Sequence, residues 1–97
     1  MVEKIIQNGE GTIIDVRTRA EFQGGNATGS VNIPVNELIQ RIEEVKSLKA
    51  PLILCCPSGG LSSMGTHLLK QQGVACHDAG SWLNVNHLQS KSVQKVA

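Results

Sequence analysis

Short apolar runs alternate along this chain with segments whose apolar positions recur every three or four residues. The short runs predict buried strands over residues 12–16, 31–34, 52–55 and 74–77. The amphipathic segments predict helices over residues 2–8, from Thr18 to the pair Gly24-Gly25, from a cap at Asn36 through Val45, and from Leu61 to a stop at Gly73. We also expect a turn over residues 79–81 and a frayed polar tail from about residue 90.

Strands that alternate with helices are typical of a parallel sheet covered on both faces. A chain of 97 residues is the size of one domain, so we expect a single α/β domain over residues 1–97. Ligands of such sheets bind beyond the carboxyl ends of the strands. The third predicted strand reaches that edge at Cys56.

The loop that follows the third strand is the main candidate for chemistry. After Cys56 the chain turns through Ser58, Gly59 and Gly60 and enters the next predicted helix. Backbone N–H groups at such a turn and helix N-terminus favour anions, so a thiol held there ionises more easily and becomes a nucleophile. A small buried hydrophobe at a strand end fits the loop equally well. The loop alone leaves both interpretations open.

Charge and composition exclude several classes of function. The net charge is +1, and the chain has one Phe, one Trp and no Tyr, so we expect no nucleic-acid partner and no attraction to membranes. Three cysteines do not form a disulfide framework, and the three histidines lack ligand spacing, so no metal site is expected. No long apolar segment suggests a signal peptide or a membrane span. We therefore expect a cytoplasmic protein, or a periplasmic one if an export signal has been removed.

Five pieces of sequence follow one another in the order of a known family. They are Ile13-Ile14-Asp15-Val16-Arg17, Glu21-Phe22, Gly25-x-x-x-Gly29-Ser30-Val31-Asn32-Ile33-Pro34, Cys56-Pro57-Ser58-Gly59-Gly60 and Gly80-Ser81-Trp82. Each piece is weak alone. The ordered set, over roughly residues 10–85, resembles a single-domain rhodanese of the thiosulfate sulfurtransferase type, most of all the short phage-shock form.

The resemblance implies a fold and a reaction. The fold would be rhodanese-like, with a doubly wound, mostly parallel sheet. Cys56 would take a sulfur atom from thiosulfate or a persulfide donor and pass it to a thiol or cyanide, with no cofactor; a sulfur-relay protein is a further expected partner. Asp15 and Arg17 would support the site. The substrate would be bound by the residues of the loop, which are Pro57, Ser58, Gly59, Gly60, Leu61 and Ser62.

Two departures from the family pattern raise alternatives. Leu61 stands where the family usually has an Arg, and Asn26 stands where it commonly has a His. The missing guanidinium predicts weaker thiosulfate binding or a different donor, because Arg grips anions well. It also motivates the alternative of a catalytically weak or inactive rhodanese-like binding module. A phosphatase loop is excluded, since Cys-x5-Arg would need an Arg at Ser62.

The remaining conspicuous residues are expected to have structural roles. Cys55 and Cys76 lie in apolar runs and suit packing, although either could pair with Cys56 in a thiol-redox function. For Asp15 and Arg17, an ion pair that braces the strand end is favoured over direct chemistry. We expect Trp82 to form a lid over the sheet edge and His67 to lie near the helix surface.

Overall fold

The computed structural model describes residues 2–92. The helices and strands run in the order α1 (Val2–Gln7), β1 (Thr12–Asp15), α2 (Arg19–Gln23), β2 (Val31–Asn32), α3 (Ile42–Ser47), β3 (Leu52–Cys56), α4 (Gly60–Gln71), β4 (Cys76–Ser81) and α5 (Trp82–Ser92). A short 3₁₀ turn, Val35–Glu37, lies between β2 and α3. Strands and helices alternate, as the hydrophobic pattern predicts.

The four strands form one parallel sheet in the order β2-β1-β3-β4. The chain starts at a central strand, builds one edge, then crosses back and builds the other, which is a doubly wound arrangement. The carboxyl ends of all four strands therefore share one edge, where Asp15 of β1 lies beside Cys55 and Ser81 of β4 beside Cys56. The expected doubly wound, parallel α/β sheet is confirmed.

Two hydrophobic cores cover the two faces of the sheet. One contains Val45 of α3 and Leu69 of α4 together with Cys56. The other contains Ile6 of α1 and Val85 of α5. All five residues of β3 are buried, because this central strand is enclosed on both sides. Its side chains alternate between the two cores.

The second helix begins where the sequence predicts. The Thr18 side chain accepts a hydrogen bond from the Glu21 N–H at 3.2 Å, and the Glu21 carboxylate accepts one from the Thr18 N–H at 3.1 Å. This reciprocal pair is the capping box expected from Thr18-x-x-Glu21. The helix ends at Gly24, also as expected.

The last third of the chain differs from the prediction. The fourth strand is Cys76–Ser81 rather than 74–77, because the Val74 N–H bonds to the Leu69 carbonyl and closes the end of α4. The expected turn at 79–81 is therefore part of a strand. Helix α5 was not predicted, and the tail expected to fray from about residue 90 is helical to Ser92; residues 93–97 lie outside the described part.

The segment after β2 also differs. Asn36 caps no α-helix and instead lies within the 3₁₀ turn, while α3 begins only at Ile42. Within residues 2–92 no helix is long and apolar enough to cross a membrane.

Candidate active site

Cys56 lies at the carboxyl end of the central strand β3, directly under the loop that leads into α4. The residue is 0% exposed, whereas the neighbouring Pro57, Ser58 and Gly60 are exposed. One layer of loop therefore separates the sulfur from solvent. The sequence-predicted nucleophile is therefore covered by its own loop in this structure.

The loop directs a backbone donor at the sulfur. The Gly59 N–H donates to Cys56 Sγ with an N···S distance of 2.8 Å. Gly59 has φ +101°, a conformation that is strained for any residue with a Cβ. Gly59 is also the N-cap of α4, a helix of twelve residues, so the sulfur lies at the positive end of the helix dipole.

Burial and hydrogen bonding act in opposite directions on the Cys56 thiol. Burial raises its pKa, but the Ser62 hydroxyl and the N–H groups of Ser62, Gly59 and Ser58 lower it, and the net result is a pKa below the ordinary value of 9.0. The thiolate is therefore stabilised by fixed dipoles of its own loop.

Ser62 connects the sulfur to a carboxylate on the neighbouring strand. Its Oγ lies 3.2 Å from Cys56 Sγ and donates to Asp78 Oδ1 at 2.6 Å. The same carboxylate oxygen accepts the Gly80 N–H at 2.9 Å. Ser62 is fully buried, and its Oγ also lies 3.2 Å from the Gly59 carbonyl oxygen. A continuous set of hydrogen bonds thus joins β3, α4 and β4.

The other two cysteines have environments unlike that of Cys56. Burial raises the pKa of Cys55 from 9.0 to about 12, and burial also raises the pKa of Cys76. Both residues are buried in the cores, as expected for packing roles, and all three cysteines are free thiols. Cys55 and Cys56 belong to the cores on opposite faces of the sheet. Only Cys56 has surroundings that favour the thiolate.

Asp15 and Arg17 form a buried ion pair at the end of β1. The Arg17 Nε donates to both carboxylate oxygens of Asp15, at 2.9 and 3.0 Å, and a terminal nitrogen donates at 2.8 Å. That nitrogen also donates to the Gly25 carbonyl at 2.6 Å. The guanidinium lies 4.5 Å from the ring centroid of Trp82. The pair braces the strand end, the following loop and the start of α5, and Arg17 is committed to those contacts.

Trp82 therefore has a different position from the lid suggested by the sequence. It packs against Arg17 and the core that contains Cys55, on the face of the sheet opposite the core of Cys56. His67 is exposed on α4, as expected.

Leu61 and Asn26, the two departures from the family pattern, lie at the surface. Leu61 is 36% exposed at the start of α4. The Asn26 side chain donates to the Phe22 carbonyl at 2.8 Å and so holds the loop after α2. Among the described residues no group of three or more His, Cys, Asp or Glu side chains could hold a metal ion.

Asp78 is the site residue that sequence reasoning missed. An isolated Asp near the end of a short strand gives no motif, and the fourth strand was predicted to stop at residue 77. The available signal was positional: a polar residue at the carboxyl edge of the strand next to Cys56.

Comparison with known proteins agrees with the fold. A model of the family described as "Rhodanese-like domain" matches residues 1–86. The chain is 38% identical over 61 residues to the uncharacterized protein YqhL of Bacillus subtilis, a match that covers 63% of this chain and 48% of that protein. The chain thus spans about half the length of this curated relative.

Solved structures give the same result. The reduced CoADR-RHD protein of Bacillus anthracis superposes with a TM-score of 0.73 at 28% identity, covering 93% of this chain and 16% of that one. A rhodanese with anions from E. coli gives a TM-score of 0.68 at 27% identity, covering 75% of this chain and 88% of that one. With the match over residues 1–86 and a cysteine loop at the expected sheet edge, the chain belongs to the rhodanese-like domain family.

Proposed function

We propose that this protein is a sulfurtransferase that carries sulfane sulfur as a persulfide on Cys56. The observation that carries the proposal is the contact of 2.8 Å from the Gly59 N–H to Cys56 Sγ at the N-terminus of α4. The loop also lowers the pKa of the Cys56 thiol, although burial acts to raise it. The similarity to the E. coli rhodanese supports the same conclusion.

The reaction needs two displacements at sulfur. The Cys56 thiolate attacks the outer sulfur of thiosulfate, a new S–S bond forms to Sγ, and the original S–S bond breaks with its electron pair leaving on sulfite. An acceptor thiolate or cyanide then attacks the outer sulfur of the persulfide, and Cys56 leaves as the thiolate. A persulfide donor follows the same course with a thiolate as the leaving group. Neither step requires an external oxidant or reductant.

The loop supplies fixed dipoles where negative charge resides. The thiolate and the persulfide are both anions, and N–H groups that are already oriented stabilise them without reorganisation. The backbone of residues 58–62 would bind the donor, because N–H groups of this segment are the nearest donors to the sulfur. Opening of the loop is a required step, since Cys56 is fully covered.

The first experiment is intact-protein mass spectrometry after incubation with thiosulfate, and separately with a small persulfide. We expect the wild type to gain one sulfur atom that dithiothreitol removes, and Cys56→Ala to gain none. Cys55→Ala and Cys76→Ala are the matched controls and should load normally. Loading that survives in Cys56→Ala would contradict the proposal.

A rhodanese-like binding module without turnover is the second candidate. The exposed Leu61 beside the loop favours it, because an apolar side chain replaces a cation that would attract the donor. Leu61→Arg separates the two functions. If only Leu61→Arg gains sulfur, the wild type is a binding module with a degenerate site. If the wild type already gains sulfur from the persulfide, the protein is a catalyst suited to a donor other than thiosulfate.

A further inference from the structure

Asp78 has no assigned role, yet its carboxylate lies close to the candidate nucleophile. The two hydrogen bonds through Ser62 place Asp78 Oδ1 within about 6 Å of Cys56 Sγ. The Gly80 N–H fixes the same oxygen from the other side. Two hydrogen bonds therefore hold the Asp78 carboxylate in place, whereas a surface carboxylate without such contacts would rotate freely.

Ser62 has one hydroxyl proton and several acceptors. The Asp78 contact of 2.6 Å has the short length typical of a hydroxyl bonded to a carboxylate. The sulfur is 3.2 Å away. While the proton points to Asp78, Ser62 presents lone pairs to the sulfur, and this favours the neutral thiol. Asp78 thus competes with the thiolate for the same proton.

The ionisable groups around Cys56 come from the elements packed against β3. The elements packed against β3 are β1, β4, α4 and α5. Their ionisable groups, with those directly after β1, are Asp15, Arg17, His67, Lys70, Cys76, His77, Asp78, His87 and Lys91, besides Cys55 on β3 itself. Asp15 and Arg17 neutralise each other in their ion pair. Asp78 is the charged side chain that the described hydrogen bonds connect to Cys56.

We propose that Asp78 is a specificity-determining residue, whose carboxylate disfavours doubly charged sulfur donors such as thiosulfate and favours singly charged donors such as persulfides and thiosulfonates. The inference rests on the proposed function and names its substrate class. It acts together with Leu61, which provides no compensating cation at the start of α4.

The expected effect follows from one charge at this separation. Asp78 is exposed, so solvent screens it, and a unit charge at about 6 Å then shifts a pKa by about 0.5 to 1 unit. Each added negative charge on a reagent should slow its reaction with Cys56 by a similar factor, about threefold to tenfold.

The first test uses two alkylating reagents that differ by one charge. Alkylation of Cys56 by neutral iodoacetamide and anionic iodoacetate is followed by mass spectrometry of the Cys56 peptide across a range of pH. In Asp78→Asn we expect the midpoint of the pH profile for alkylation of Cys56 by iodoacetamide to fall by about 0.5 to 1 pH unit. The iodoacetate rate should rise relative to the iodoacetamide rate by about threefold to tenfold. Asp78→Glu should keep the wild-type ratio.

The matched control for this test is Glu10→Gln. It removes one carboxylate before β1, at the opposite edge of the sheet, and should change neither quantity. An unchanged reagent ratio in a folded Asp78→Asn would overturn the proposal. If that variant does not fold, the wild type decides the question, because its iodoacetate-to-iodoacetamide ratio must rise with ionic strength. A flat ratio would rule out repulsion by Asp78.

The second test compares two sulfur donors. Thiosulfate carries two negative charges and methanethiosulfonate one, and both deliver an outer sulfur attached to a sulfonyl group. Asp78→Asn should accelerate persulfide formation from thiosulfate about threefold to tenfold more than from methanethiosulfonate. Equal acceleration would refute the claim of selectivity. If neither donor loads any variant, the proposed function fails, while the alkylation ratios still decide whether Asp78 repels anions at Cys56.

Discussion

The buried thiol of Cys55 makes this protein less stable at alkaline pH. Folding raises its pKa from 9.0 to about 12, so the folded chain holds the proton more tightly than the unfolded chain. As the pH rises above 9, the unfolded chain loses the proton first, and the free energy of unfolding falls until the folded thiol also ionises near pH 12. Between pH 8 and pH 10 this one group should cost about 1.4 kcal/mol.

The assay is urea denaturation followed by far-ultraviolet circular dichroism at both pH values, with a reductant present. Cys55→Ala removes the titrating group, so its loss of stability over this interval should be smaller than that of the wild type by about 1.4 kcal/mol. The comparison uses the change with pH in each protein, since the cavity left by the smaller side chain lowers stability at every pH.

Cys56→Ala is a control that should change the pH dependence of stability in the opposite direction. The pKa of Cys56 is lowered, so its contribution to stability is present above the unfolded pKa and is lost as the pH falls through the folded one. Removing it should make the alkaline loss larger. If wild type and Cys55→Ala lose the same free energy between pH 8 and pH 10, the assignment of the alkaline loss to this thiol is refuted.

Three further substitutions test other contacts. Ser62→Ala should raise the pKa of Cys56, because it removes the hydroxyl that turns from Asp78 to the sulfur when the thiol ionises; a fall in the midpoint of the Cys56 alkylation profile would contradict this. Arg17→Ala should cost about 3–5 kcal/mol in urea denaturation, since it leaves a buried carboxylate without its partner, and a loss below about 1 kcal/mol would show that the pair is dispensable. Gly11→Ala should lower the melting temperature, because φ is +75° and a Cβ would collide with the Pro51 carbonyl; an unchanged temperature in calorimetry would disprove that collision.

The sheet and the cysteine loop could be predicted because their signals are local. Five consecutive residues of β3 are buried, and such a run has few alternatives to a central strand. The loop likewise has its glycines and its cysteine within a few positions of one another. The family resemblance added the identity of the fold, which the family match confirms.

The surroundings of the site depended on contacts that are distant in sequence. Asp78 meets Ser62 because β4 pairs with β3 in a register that is irregular between Leu54 and Cys56, and nothing local to Asp78 specifies that register. Helix α5 was missed for a related reason. Its described buried residues are Val85 and Leu88, too few to form a recognisable apolar stripe.

The contact of Arg17 with Trp82 has a practical consequence for the study of this protein. Trp82 is the single tryptophan and the chain has no tyrosine, so its near-ultraviolet fluorescence arises from one indole. That indole follows Ser81, which pairs with Cys56, and it lies under a guanidinium 4.5 Å from its ring centroid. Emission from the unlabelled protein therefore reports on the contact between Arg17 and Trp82, on the face of the sheet opposite the core of Cys56, and stopped-flow fluorescence can time the loss of that contact during unfolding.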